Sequence, residues 1–383
     1  MRSTVQSDTV PRMHIRSTLV SLALIAVGCS STEPVVSAPP ASSERPVVPP
    51  PVASPASSAI ATAPLPPAFE IKPIALPGGT ADGVGMDFIL FDPNLAAIWV
   101  PAGNTGFVDV VDTATGTVKH IDGFPTKEME RNGKKRIVGP SSVSLGDGVV
   151  FVGNRGDAAI CAIDPKKLTK GTCSAKLDSM PDATVYVAPT SEVWITTPRD
   201  KSIRILDAKT LKQKEKLSFD GEPEGYAVDA TRGRFYTNLE DADKTLAIDL
   251  KTHKTVATWK PGCGKEGPHG LRLAEADGFL FVACSTRVEA LDVGHDGAVL
   301  SSVDTGDGVD DLDYAASTRN VYVGAAKAAV LVVAHVDAKG ILSVVAQVPT
   351  VEGARNPAVD GAGRVYLTHA KGSELLLATP TQK

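Results

Sequence analysis

Between Tyr226 and Trp259 the chain reads YAVDATRGRFYTNLEDADKTLAIDLKTHKTVATW. Four runs stand out in it, Tyr226 to Val228, Arg234 to Thr237, Thr245 to Ile248 and Thr255 to Trp259, each rich in β-branched or aromatic residues and separated by turn formers. Such runs predict four short antiparallel strands joined by tight turns. The layout recurs along the chain. One aromatic stands in a β-rich run at Trp99, Phe151, Trp194, Tyr236, Phe281, Tyr322 and Tyr366, at intervals of 52, 43, 42, 45, 41 and 44 residues. Repeats of ~40 to 50 residues are the spacing of propeller blades. An Asp follows the aromatic by thirteen residues in four units, at Asp112, Asp164, Asp207 and Asp249, and by eleven in the fifth, at Asp292. There a carboxylate can accept from backbone amides two residues on and fix a hairpin turn. Two markers in one register predict an all-β, seven-bladed β-propeller of four-stranded blades over residues 68–383.

The seventh unit runs out of sequence, because after Tyr366 only residues 374–378 remain for a third strand. The missing outer strand is available at the other end of the domain, as Phe69-Glu70-Ile71-Lys72-Pro73-Ile74-Ala75-Leu76. The last blade is therefore expected to be closed by the N-terminal strand, where Pro73 is tolerated on an edge.

Phe151-Val152-Gly153-Asn154, Tyr236-Thr237-Asn238 and the Asp-x-x-Thr turns, with Pro181, Pro223 and Pro268 before the next unit, resemble the YVTN-type β-propeller repeat over roughly residues 83–370. That resemblance implies the fold strongly and an activity hardly at all, since such proteins are mostly exported or surface proteins. Related propellers in quinoprotein dehydrogenases and nitrite reductases work beside haem, but no Cys-x-x-Cys-His stands here to attach one.

The first segment reads as an address. Arg2, Arg12 and Arg16 precede an apolar run from Leu19 to Gly28 that ends at Cys29. Ten residues are too few for a bilayer span, which needs roughly 20. A basic start, a short apolar stretch and small residues at the cut are the features of an export signal. Leu24-Ile25-Ala26-Val27-Gly28-Cys29 resembles the lipobox of bacterial lipoproteins, which implies cleavage after residue 28 and acylation of Cys29, with palmitate among the chains. Met1 and Met13 both fit as the start. Residues 30–67 hold eleven Pro among Ser, Ala and Val, a stiff solvated tether. The expected organisation is a signal peptide at 1–28, a lipidated Cys and tether at 29–67, and the propeller at 68–383. The partner implied is a membrane, reached through the lipid, in the cell envelope; Ser30 after the Cys points to the outer membrane, with either face open. With 39 basic and 44 acidic residues the net charge is −5, and −7 once residues 1–28 are removed, which gives no electrostatic case for nucleic acid. A monomer is expected.

Four cysteines remain, Cys161, Cys173, Cys263 and Cys284. Cys161 falls in the third strand of blade 2 and Cys173 in its fourth, side by side in a hairpin. Cys263 precedes blade 5 and Cys284 ends its second strand. An even number in an oxidising compartment, without Cys-x-x-Cys spacing, predicts two disulfides rather than a metal site.

No hydrolase, phosphate-loop, zinc-protease or complete EF-hand motif is present. Asp241-Ala242-Asp243 reads as a solvated turn, and Lys127 to Arg136 as a charged loop that explains the 52-residue interval. Counting twelve residues back from the aromatic gives Asp87, Asp182, Glu224, His269 and Asp310, and shorter turns give Ser141 and Arg355. These begin the innermost strands, so they are expected to converge on the mouth of the axial channel, with Asp307, Asp311 and Asp313 thickening its acidic side. Three readings stand: a hydrated channel, a ligand site, or a metal site for Ca²⁺, Mg²⁺ or Zn²⁺. Two functions follow, a non-catalytic scaffold for a protein or small molecule, and a metal-dependent hydrolase of lactonase type. The Asn residues that the second would want beside a Glu are lacking at the matched positions.

Overall fold

The structure is a computed structural model that describes residues 69–131 and 133–381; the export signal, Cys29 and the tether to residue 67 lie outside the described residues. Seven four-stranded antiparallel sheets follow one another as blades of a β-propeller. Blade 4 consists of Pro223–Asp229, Arg234–Leu239, Lys244–Asp249 and Thr255–Trp259, the four runs read from the sequence, each of the first three longer by one to three residues at an end. Blade 7 takes its outer strand from the start of the domain: Phe69–Ala75 pairs with Glu374–Pro380 from Phe69↔Pro380 to Ala75↔Glu374.

The recurring aromatic has a packing reason. All seven are at most 2% exposed, and each lies in the apolar core between its own blade and the next. Trp99 packs with Val143 and Val152 of blade 2, Phe151 with Val193 and Ile195 of blade 3, and Trp194 with Phe235 of blade 4. Tyr236 packs with Leu280, Phe281 with Leu312, and Tyr322 with Leu367. Tyr366 of blade 7 packs with Ile98 and Val100 of blade 1, so the ring is closed by an apolar seam like the other six. Four of the rings with a polar tip donate to a carboxylate: the indole of Trp99 to Asp92 and that of Trp194 to Glu192, the phenol of Tyr236 to Asp229 and that of Tyr366 to Asp360. A buried donor left without an acceptor would cost about 1–3 kcal/mol.

The repeated Asp residues fix turns as expected. Asp112 accepts from the amides of Ala114 and Thr115, and Asp249 from those of Lys251 and Thr252. These bonds favour the ionised form and lower both pKa values. Both disulfides form, Cys161 with Cys173 and Cys263 with Cys284. Asp241-Ala242-Asp243 is a bracing turn, Asp241 accepting from the Glu222 amide and Asp243 from that of Cys263.

The expected charged loop is a hairpin of two strands, Lys127–Arg131 and Lys134–Val138. The signal was present in Asn132-Gly133, the pair that favours a two-residue hairpin turn, and Gly133 sits at φ +71°. Among the described residues no helix is long and apolar enough to cross a membrane.

Candidate functional site at the channel mouth

Glu224, His269, Asp310, Ser141 and Arg355 are each the second residue of an innermost strand, while Asp87 and Asp182 stand just before theirs. Six of the seven line one cavity of about 1120 Å³, and the seventh, His269, contacts Glu224 at its edge. The hairpin 127–138 borders the same cavity through Met129, Lys134 and Lys135. The mouth therefore has an acidic floor and a basic flap on one side.

Position alone does not make the seven side chains one site. Arg155, in the turn after Val149–Asn154, pairs with Asp87 of blade 1 at 2.8 Å and also with Asp182 of blade 3. Burial and the neighbouring acids push Asp182 up to about 6, although Arg155 pulls the other way. Arg355 pairs with Asp310 at 2.8 Å, and that carboxylate raises the pKa of the guanidinium. Ser141 is buried, and its hydroxyl lies at hydrogen-bond distance from the carbonyls of Gly153 and Asp182. The residues expected to thicken the acidic side are occupied too: Arg272 holds Asp311 at 3.1 Å and Asp313 at 3.2 Å, and Lys327 holds Asp307.

What remains is the sector of blades 4 and 5. Gly225 and Gly270 let the innermost strands approach so closely that a Cβ on Gly225 would lie 2.3 Å from the His269 carbonyl and 2.6 Å from the Gly270 Cα. That approach brings His269 Nδ1 to 3.4 Å from Glu224 Oε2 and 3.7 Å from Glu240 Oε2, while Nε2 lies 3.1 Å from Ser285 Oγ. Glu224 and Glu240 also face each other, each with a carboxyl oxygen within 4.8 Å of the other's. Burial and the neighbouring acids push Glu224 well above the carboxylate range, whereas the adjoining imidazole of His269 holds Glu240 down at about 2. Glu224, Glu240 and His269 offer ligand atoms within 4.8 Å of one another, so this trio, rather than Glu224, His269 and Asp310, is the set that could hold a divalent cation.

Arg155, Glu240 and Ser285 were missed by counting back from the aromatic. All three stand four residues after it, at Phe151, Tyr236 and Phe281, where the second strand returns to the mouth. The same count in the other units gives Gly103, Pro198, Ala326 and Ala370, so only three of the seven returns carry chemistry.

Comparison of the sequence with protein-family models and with curated proteins gives no match. Solved structures share the fold. A chain of Kuenenia stuttgartiensis hydrazine synthase is similar with a TM-score of 0.66 at 11% identity, over 80% of this chain and 98% of that one. A chain of the mitotic checkpoint complex gives 0.63 at 14%, over 82% and 94%, and U3-55K gives 0.64 at 10%, over 81% and 98%. Such identities carry the architecture only.

Proposed function

We propose that this protein is an exported binding scaffold, a YVTN-type propeller lipoprotein held at the cell envelope through Cys29 and the Pro-rich tether, with the channel mouth as its ligand site. The observation that supports it most is the convergence of six polar strand starts on a single open cavity, four of them already ion-paired and so held in place before any ligand arrives. Preorganised polar groups lower the ordering cost of binding. Native mass spectrometry of the purified protein, with metal analysis, tests the site: a non-covalent mass that departs in Glu224→Gln/Glu240→Gln is expected, and a bare chain mass throughout would count against it.

A second reading has its own support in the trio Glu224, Glu240 and His269. Two carboxylates suit Ca²⁺ or Mg²⁺, and the imidazole moves the preference toward Zn²⁺. A bound cation would relieve the crowding of the two carboxyls. Metal-dependent hydrolysis of lactonase type would follow from such an ion, which polarises a carbonyl or generates hydroxide.

The anchor rests on the sequence around Cys29. Several acyl chains bind far more firmly than the single chain that is marginal alone. Cys29→Ser should leave the precursor uncleaved and unacylated, because the thiol is the acceptor. Equal partition of mutant and wild type into the detergent phase would refute a lipid anchor.

A further inference from the structure

His269 is placed between an acid and a hydroxyl, and that order has a chemical meaning separate from ligand binding. A neutral imidazole carries one proton. The acids on the Nδ1 side, Glu224 Oε2 at 3.4 Å and Glu240 Oε2 at 3.7 Å, keep the proton there as an N–H donor. Nε2 is then left with a lone pair, and the nearest group to it is the Ser285 hydroxyl at 3.1 Å. A serine hydroxyl beside one nitrogen of an imidazole whose other nitrogen faces acids is the arrangement that makes serine a nucleophile.

We propose that Ser285 is a nucleophile toward carboxylic esters, with His269 as its general base and Glu240, through Glu224, as the positioning acid. This goes beyond the binding reading and does not depend on it. The serine is held from both sides. It follows Cys284, which is cross-linked to Cys263, and its carbonyl accepts from the amides of Gly308 at 3.0 Å and Val309 at 3.1 Å on blade 6. Ser285 is half-buried, neither sealed in the core nor free in solvent. Blade 5, which carries the pair, lies between the cavity-lining Glu240 of blade 4 and Asp310 of blade 6.

The step balances without a further reagent than water. Ser285 Oγ bonds to the ester carbonyl carbon while its proton passes to His269 Nε2. The carbon–oxygen bond to the alcohol then breaks, and the alcohol leaves with that proton. Water adds to the acyl-serine with His269 again taking a proton, and the carboxylic acid departs as Ser285 regains its hydrogen. The sum is ester plus water giving acid plus alcohol.

A fluorophosphonate probe tests this on the full-length protein, because it reacts with an activated serine as an ester would, phosphorus replacing carbon and fluoride leaving, and the adduct does not turn over. Peptide mass mapping should place the adduct on Ser285. Ser285→Ala should carry none. His269→Asn should label on the order of 100-fold more slowly, the usual worth of a positioned base. Glu240→Gln, which keeps shape and removes the charge, should slow labelling in protein that still melts cooperatively. Absence of an adduct on Ser285 in protein with the wild-type melt would overturn the proposal, and so would equal labelling rates in His269→Asn and wild type.

Discussion

Asp109 lies in the third strand of blade 1, Phe107–Asp112, fully buried, with neither carboxylate oxygen hydrogen-bonded. Burial alone pushes its pKa from 3.8 to about 7. The folded state therefore holds this proton more tightly than the unfolded chain does. Stability contributed by the protonated group is fully present below about pH 4 and is lost as the pH rises through 7. At ~1.36 kcal/mol per unit, the loss by pH 8 amounts to roughly 4 kcal/mol at most. Asp109→Asn, which cannot ionise, should melt higher than wild type at pH 8 and with a flatter pH dependence between 5 and 8. Parallel profiles for the two proteins would show that Asp109 is not carrying an uncompensated charge. No reading of the sequence flags this residue, because an Asp between two Val on a strand has the alternation of a solvent-facing position. Glu224 and His269 were legible as strand starts, while their contact with Glu240 and Ser285 depends on how closely two glycine-bearing strands approach, which no single repeat reveals.

The strand Phe69–Ala75 shows how an element can be read from what is missing elsewhere. The seventh unit lacked a fourth strand, and the free β-run at the other end of the domain supplied it. Its side chains serve two seams: Phe69 and Ile71 pack with the blade 6–7 core, and Ile74 with that of blades 7 and 1. Deletion of residues 68–77 removes those contacts and leaves Glu374–Pro380 as a bare edge. The truncated domain should lose its single cooperative melt or melt at least about 10 °C lower, an effect of the size expected when several buried apolar side chains are lost. An unchanged melting temperature would contradict closure by this strand. The hairpin 127–138 was legible only in its Asn-Gly pair. Its alternation is weak, with charges at most positions, so propensity alone left it a loop; its place beside the cavity came from the fold.

Seven similar seams make the whole molecule. Each blade buries an aromatic against the next, and Tyr366 against blade 1 makes the last seam equal to the others, so no blade is a terminal cap and the stability of a repeat array is shared around a closed ring. This much was legible, since spacing and register repeat while the sequence of each unit does not. Which acids pair at the mouth was not, because Arg155 and Arg355 reach across blades and so obey no period. Their reach changes which acids are free: Asp310, matched with Glu224 by position, is neutralised by Arg355, and its removal would strand that cation. Among the groups that Arg155 and Arg355 leave for a ligand are Glu224, Glu240 and His269. Thermal melts of wild type and Glu224→Gln/Glu240→Gln, with Zn²⁺, Ca²⁺, Mg²⁺ or chelator, therefore bear most directly on the claim that the mouth is a binding site. An ion at 100 times its dissociation constant stabilises by about 2.7 kcal/mol, a shift of several degrees. The account predicts that shift for at least one ion in wild type and its disappearance in the double variant; identical curves for both proteins under every condition would contradict it and leave a hydrated channel.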